Sequence, residues 1–395
     1  MNQRKFILLS AYINYIFQGI GALILSLTLL NLKSAWHAST FQVSLVIGGI
    51  GLGRIIFMYP AGILSDKLGR AKVIISSSLL YALLFWLISF CPNYLWALIC
   101  TLLVGLCHAL YDTSIYPLIT ELYPDEKMQG ALSILNKAFI SLGQFLLPLI
   151  VVQIGHYNLS FRYAYYLCGV GTLLNAMWFM MLPVQKYLQG SLQVEDEQNQ
   201  SQKLGLNGWL LLAVSFISVS TFTIFTTWVT TYGQEYLNLS QSQSSIYVSV
   251  YSVCSIISVF VTSAIVKLGV KKTTILSVGL LMTTISLTAI NFLPTPMMLF
   301  VTTILIGFFA AGGLWQLGLM QFLETINQPK GKLTSYYSLA ASLALFLIPS
   351  ITGYFAEKNI ALVFVIDNIV SLVGLLAVIV LIMRFYTNKS VAQSK

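Results

Sequence analysis

A chain of 395 residues with 57% hydrophobic and only 8% charged positions, at a mean hydropathy of +0.83, lies outside the range of soluble domains and reads as a polytopic membrane protein. Its formal net charge of +9 does not point to nucleic acid, because the cations stand singly or in small groups in short loops and never form an extended patch. The five cysteines lie in or beside apolar runs without C-x-x-C spacing, and His37 and His156 fall in loops, so neither a disulfide framework nor a metal centre is expected.

The first apolar run, Phe6 to Leu30, is too long for a signal-peptide core and lacks a small-residue cleavage site, so it is read as a retained span. A helix needs about 20 apolar residues to cross about 30 Å of hydrocarbon. Runs of that kind lie at 6–30, 41–63, 73–90, 95–122, 131–153 and 162–182, then at 208–232, 241–266, 273–293, 297–324, 333–355 and 361–386. The expected class is all-α, with an N-terminal six-helix bundle over 1–182, a linker over 183–207 and a C-terminal six-helix bundle over 208–395. The linker contains Glu195-Asp-Glu-Gln-Asn-Gln-Ser-Gln, the sustained polar stretch of the chain, and reads as a flexible, solvated connection. With the N-terminus placed inside, sixteen Lys and Arg fall in loops and tails on that side, against Lys33, Lys358 and Arg162 on the other. Both termini are therefore expected in the cytoplasm.

Between spans 2 and 3 stands Gly62-Ile-Leu-Ser-Asp66-Lys67-Leu-Gly69-Arg70-Ala71-Lys72. Gly62 is expected to admit a neighbouring helix, and Gly69 to let the chain turn where a side chain would clash. The segment has a degenerate second copy: Asp66-Lys-Leu-Gly-Arg-Ala-Lys72 aligns with Val266-Lys-Leu-Gly-Val-Lys-Lys272 at an offset of 200. Leu102-Leu-Val-Gly105 aligns with Ile304-Leu-Ile-Gly307 at 202, and Gln144-Phe-Leu-Leu-Pro-Leu-Ile150 with Leu345-Phe-Leu-Ile-Pro-Ser-Ile351 at 201. A parallel six-plus-six repeat is the architecture in which two bundles rock about a central site.

The charged turn resembles the signature loop between helices 2 and 3 of the major facilitator superfamily (MFS), departing from it at Ala71, where the family usually has a second cation. The segments Ile47-Gly-Gly-Ile-Gly-Leu-Gly-Arg54, Tyr111-Asp-Thr-Ser-Ile-Tyr-Pro117 and Ala310-Ala-Gly-Gly-Leu-Trp-Gln-Leu-Gly318 look like a mostly uncharacterised group of bacterial permeases within it. The resemblance implies two bundles related by a pseudo-twofold axis. It also implies a conformational latch of Gly62, Asp66, Lys67, Gly69 and Arg70, in which Asp66 faces the start of helix 11 and Arg70 steadies it. Two features of proton-driven drug exporters are missing: Thr101 stands where they carry an Arg before the Gly of helix 4, and Leu142-Gly-Gln-Phe-Leu-Leu-Pro148 does not match their helix 5 pattern. Uptake is therefore favoured over export.

A charge inside the bilayer costs about 2.5–3.5 kcal/mol or more and needs a reason. Counted from the cytoplasmic helix ends at about 1.5 Å per residue, Arg54 and Asp112 both lie about 14–15 Å deep and Lys137 about 9 Å. Two readings of Asp112 stand open. It is a proton-coupling carboxylate, with Arg54 or Lys137 released in one state to hold an anionic or hydroxylated substrate, or it forms a permanent pair with one of them. Ser141 and Gln144 continue the face of Lys137, His108 stands one turn before Asp112, and Asp367 in span 12 is assigned a structural hydrogen bond by default. Rings and amides at Tyr15, Gln18, Trp228, Tyr232, Trp315 and Gln316 are candidate cavity residues, since aromatic bodies with polar tips suit a site that packs rings or sugar faces.

The expected activity is secondary active transport of a small polar organic solute, an organic acid or sugar-like compound, across the plasma membrane by proton symport, with export of drugs or metabolites as the alternative. No Walker motif, nucleophile constellation or cofactor signature is present, so the chain is not read as an enzyme, and its partners are a small molecule, protons and lipid, with a monomer as the expected state.

Overall fold

The computed structural model describes residues 3–123, 126–187, 204–326, 328 and 330–393, and among them twelve helices are long and apolar enough to cross a membrane. The first six are α1 (Gln3–Leu27), α2 (Thr40–Leu68), α3 (Arg70–Phe90), α4 (Tyr94–Leu122), α5 (Glu126–His156) and α6 (Arg162–Met181). The second six are α7 (Leu206–Glu235), α8 (Gln241–Lys267), α9 (Lys272–Phe292), α10 (Pro296–Thr325), α11 (Lys330–Lys358) and α12 (Leu362–Gln393). A short helix, Leu29–Trp36, follows α1 beyond a break at Thr28, whose hydroxyl donates to the Ile24 carbonyl at 2.6 Å.

Each expected run is met by a helix, and the differences lie at the ends. Span 2 continues through Pro60 to Leu68, because Gly69, at φ +86°, ends it and not the charges before it. Gly269 adopts φ +84° at the matching place in the second half. Both α2 and α8 begin with a Ser-x-x-Gln capping box, Ser39/Gln42 and Ser240/Gln243, a further copy of the repeat.

Within the first bundle α2 and α3 pack on α4, and α1 packs on α5 and α6. Within the second, α7 packs on α11 and α12, and α9 packs on α12. The bundles meet along α2 with α11, α5 with α8, and α1 with α7. Arg4 donates to the Leu122 carbonyl at 3.3 Å and Tyr187 to Gln3 at 2.8 Å, which gathers the N-terminus, the end of α4 and the chain after α6 on one face. The expected linker is in part packed: Val184 is buried and Tyr187 lies under the Arg4 guanidinium, while residues 188–203 lie outside the described residues.

Van der Waals contact and small residues hold helices together in lipid, where burying apolar area gains little. The α2–α4 crossing is built this way. A Cβ on Gly53 would run into the Leu102 carbonyl, and one on Gly105 would stand 2.7 Å from the Arg54 nitrogen. Gly105→Val should therefore force the helices apart at a cost of roughly 1–3 kcal/mol. The purified variant is expected to melt several degrees lower in detergent, and an unchanged melting curve would contradict this account of the crossing.

Candidate functional site

Arg54 follows the glycine face of α2 directly, so its side chain leaves the helix beside α4. There its Nη2 meets Asp112 Oδ2 at 3.0 Å. The other carboxylate oxygen accepts from the Tyr15 hydroxyl at 3.2 Å, and Tyr15 is held edge-on by Tyr111, 5.2 Å away between ring centres. The two charged side chains are 20% and 17% exposed, and the tyrosines close the pair on one side. Arg54 Nε is buried without a partner among the described residues. Removing either member would strand the other in a low-dielectric setting, a loss of about 3–5 kcal/mol in buried pairs.

Of the two pairings left open for Asp112, the structure forms the one with Arg54. Lys137 lies elsewhere, with its ammonium 5.1 Å from the centre of the Phe222 ring, on α7 of the opposite bundle. Among the described residues no carboxylate pairs with it. Gln144 is buried with its carbonyl oxygen unpartnered among the described residues, and Ser141 reaches Ser255 of α8 at 3.4 Å, so the Lys137 face of α5 runs along the seam between bundles. Two neighbours were not among the expected residues. Asn136 is buried on α5 next to Lys137, and an amide beside a lysine within an apolar span was the available signal. Phe222 had none, because one phenylalanine among 23 carries no mark.

The second bundle offers less than expected. Trp228 is fully buried and donates to the Thr352 hydroxyl at 2.8 Å, and Tyr232 packs on Phe364 with ring centres 4.5 Å apart. Both belong to the core and not to a surface facing Arg54, because α11 and α12 supply the hydroxyl and the ring that satisfy them internally. Trp315 is half-buried, donates to Ser215 at 3.0 Å and leans on Tyr337. Gln316 is half-buried beside it, and Gln18 of α1 is buried. His108 packs edge-on against Tyr81, as a core histidine does. Asp367 does not make the hydrogen bond assigned to it: both carboxylate oxygens are buried with no partner among the described residues.

Access to the pair is one-sided. Away from the N-terminal face the bundles close tightly: Gly48 and Gly51 of α2 abut the backbone of α11 at Phe346 and Leu345, and Gly353 lies over Ser44. At the end of this seam Glu357 of α11 accepts from the Ser39 hydroxyl at 3.0 Å and from the Phe41 backbone N–H at 3.1 Å, and so caps the first turn of α2 from the opposite bundle. On the N-terminal face α2 is uncovered. Tyr59 is 80% exposed, and a Cβ on Gly62 would meet nothing within 4 Å, so the helix expected to approach Gly62 is not against it in this state. Asp66 is 63% exposed and its ion pair is with Arg70, at 3.7 Å, whereas Arg70 binds Glu121 at 2.6 Å. Lys67 projects outward. Lys272 and Glu324 repeat the Arg70–Glu121 pair in the second half at 2.5 Å.

The family model for the Major Facilitator Superfamily matches residues 11–325 and 235–394. The chain is 31% identical over 373 residues to the inner membrane transport protein YdiM of Escherichia coli, covering 93% of this chain and 91% of that one. It is 30% identical to the uncharacterized MFS-type transporter YfkL of Bacillus subtilis, over 95% of both chains. Among solved structures it superposes on the nucleoside transporter NupG with a TM-score of 0.74 at 13% identity, covering 97% of this chain and 99% of that one. It superposes on a bacterial homolog of the human lysosomal transporter Spinster, inward-facing and occupied, with a TM-score of 0.72 at 12% identity, covering 99% of this chain and 97% of that one. With its twelve spans in two bundles and its family match from end to end, this chain belongs to the Major Facilitator Superfamily and is a multi-pass membrane transporter of the secondary-active type.

Proposed function

We propose that the chain carries out proton-coupled uptake of a small polar organic solute across the plasma membrane, as a monomer with both termini in the cytoplasm. The observation that carries this reading is the uneven charge of the buried side chains: Arg54 and Asp112 neutralise one another, while Lys137 stands over Phe222 with no carboxylate beside it among the described residues. A surplus cation at depth favours a substrate with a carboxylate, or a hydroxyl-rich solute, over a cationic one. Because Lys137 lies on one bundle and Phe222 on the other, a ligand that engages the ammonium acts on both at once. Protonation of Asp112 would free the Arg54 guanidinium as a second donor, which ties proton and solute to one state of the cavity.

Alternating access then needs a closure for each face. Glu357 holds the face away from the N-terminus, by capping α2 from α11. Asp66, at the other end of α2, pairs with Arg70 of its own bundle in this state and becomes the closure of the N-terminal face when the bundles rock. Lys67 and Arg70 keep that turn at the surface, and Gly62 and Gly69 leave room for the opposing helix.

Proteoliposomes carrying the wild type should accumulate an organic acid, chosen from a thermal-shift panel that includes sugars and amino acids, in proportion to an imposed pH gradient. Accumulation indifferent to the gradient would contradict the coupling. Lys137→Gln should weaken binding roughly 10- to 100-fold, the worth of a charge-assisted hydrogen bond, while Asp112→Asn should abolish accumulation and keep exchange.

The two closures make an opposite pair of expectations. In spin-label distance measurements across each face, Glu357→Ala should shift the population toward opening away from the N-terminus, and Asp66→Ala toward the state described here. Shifts of the same sign would remove the assignment.

A further inference from the structure

A turn of three residues, Cys91-Pro92-Asn93, joins α3 to α4. The Asn93 side chain accepts from the Leu95 and Trp96 backbone N–H groups at 3.1 and 3.2 Å and starts α4, while the Cys91 N–H donates to the Ile88 carbonyl at the end of α3. Both helix ends are thereby fixed with the chain folded back on itself. Cys100 stands in the second turn of α4, rotated toward the end of α3, and its sulphur lies 3.8 Å from that of Cys91. Nine positions separate the two cysteines in the chain, a spacing with no signature of its own, and the turn is what brings them together.

The cysteines differ in what surrounds them. Cys107 and Cys168 are buried in apolar core. Cys91 and Cys100 are each half-buried, and Cys91 Sγ donates to the Leu87 carbonyl at 3.3 Å. A thiol reacts as the thiolate, and a half-buried position can be reached by a reagent where a core position cannot. Tyr94 and the exposed Trp96 follow the turn directly, at the level where such rings sit between membrane and water. In the orientation proposed above, α3 runs outward from the cytoplasm, so this turn lies on the far face. Disulfides persist there, away from the glutathione and thioredoxin that keep cytoplasmic thiols reduced.

We propose that Cys91 and Cys100 are a modification site, oxidised to an intramolecular disulfide that staples the end of α3 to the second turn of α4. The site rests on that orientation. A sulphur–sulphur bond spans about 2 Å, and rotation of the two thiol side chains supplies the approach. The oxidant is a disulfide donor of that face. One cysteine thiolate attacks a donor sulphur and breaks the donor's S–S bond, and the other then displaces the remaining donor sulphur from the mixed disulfide. The donor's two sulphurs leave as thiols, carrying the two electrons and two protons that the cysteines give up. Because α3 and α4 pack within one bundle, the staple leaves rocking free and acts on stability.

The full chain would be taken from the membranes of expressing cells, its free thiols blocked with a maleimide during denaturing lysis, and the labels counted by intact mass spectrometry with and without prior reduction. The unreduced wild type should carry two labels fewer than the reduced protein, which carries five. Cys91→Ser and Cys100→Ser should each remove the deficit, and Cys254→Ser, on α8 of the second bundle, should keep it. The oxidised protein should melt several degrees above the reduced one, and the double variant should ignore reductant. A deficit that survives Cys91→Ser overturns the proposal, and wild-type melting that ignores reductant overturns the staple.

A second arm, in which orientation plays no part, treats the purified and reduced protein in detergent with oxidised glutathione. No loss of thiols there overturns the pair as a site. Loss there without a deficit in protein taken from cells overturns the modification in the membrane. The orientation has its own readout: an impermeant maleimide on intact cells should label Cys91 of the Cys100→Ser variant. Labelling that requires lysis overturns the orientation, and with it the oxidising setting.

Discussion

One run of backbone sets the position of everything else: Gly48-Gly49-Ile50-Gly51-Leu52-Gly53, in the middle of α2. Gly49 and Gly53, four apart, face Thr101 and Leu102 of α4, while Gly48 and Gly51, three apart, face Phe346 and Leu345 of α11. One helix is thereby pressed between its own bundle and the opposite one at distances that no side chain allows. The first contact is a fixed part of the fold. The second belongs to the state in which the far face is shut. Arg54 comes next in the chain, where the glycines end, and is carried to Asp112 by the same geometry.

The polar groups divide by bundle. The first bundle holds the buried Arg54–Asp112 pair, and the second holds rings whose polar tips meet hydroxyls, as Trp228 does with Thr352 and Trp315 with Ser215, together with Asp367, buried and without a partner among the described residues. Lys137 over Phe222 is where the two chemistries touch. An ion pair inside one bundle can rock as a rigid body without being broken, whereas a cation resting on the ring of the other bundle registers any change in their separation. This difference sets Lys137 apart from the Arg54–Asp112 pair in a way that its depth, counted along the helix, did not convey.

The repeat is kept most closely at helix ends. Left-handed glycines at Gly69 and Gly269, serine capping boxes at Ser39 and Ser240, and cation–carboxylate pairs at Arg70–Glu121 and Lys272–Glu324 recur in both halves. These are local devices that stop a helix, start one, or tie a turn to its neighbour, and each bundle needs them. Between the ends the halves diverge, and the unbroken α4 against α10, which passes through a π-turn at Ile306–Ala310, is the largest example.

The twelve spans, the six-plus-six repeat, the turn at Gly69 and the shared depth of Arg54 and Asp112 were legible in the amino acids alone, because hydropathy, charge bias and glycine conformation are properties of short stretches. The same residues left open which cation Asp112 pairs with, and they suggested a cavity position for Trp228 and Tyr232 that the fold does not give them. Those matters depend on how each helix is rotated about its own axis. In a membrane that rotation is set by contacts between helices, since every face of a span is apolar and the periodicity that marks an inner face in water is weak. Packing of helix on helix brought Asp112 to Arg54 and Tyr15, turned Lys137 toward Phe222, closed the seam at Gly51 with Glu357 at its end, and left Asp66 paired with Arg70 of its own turn.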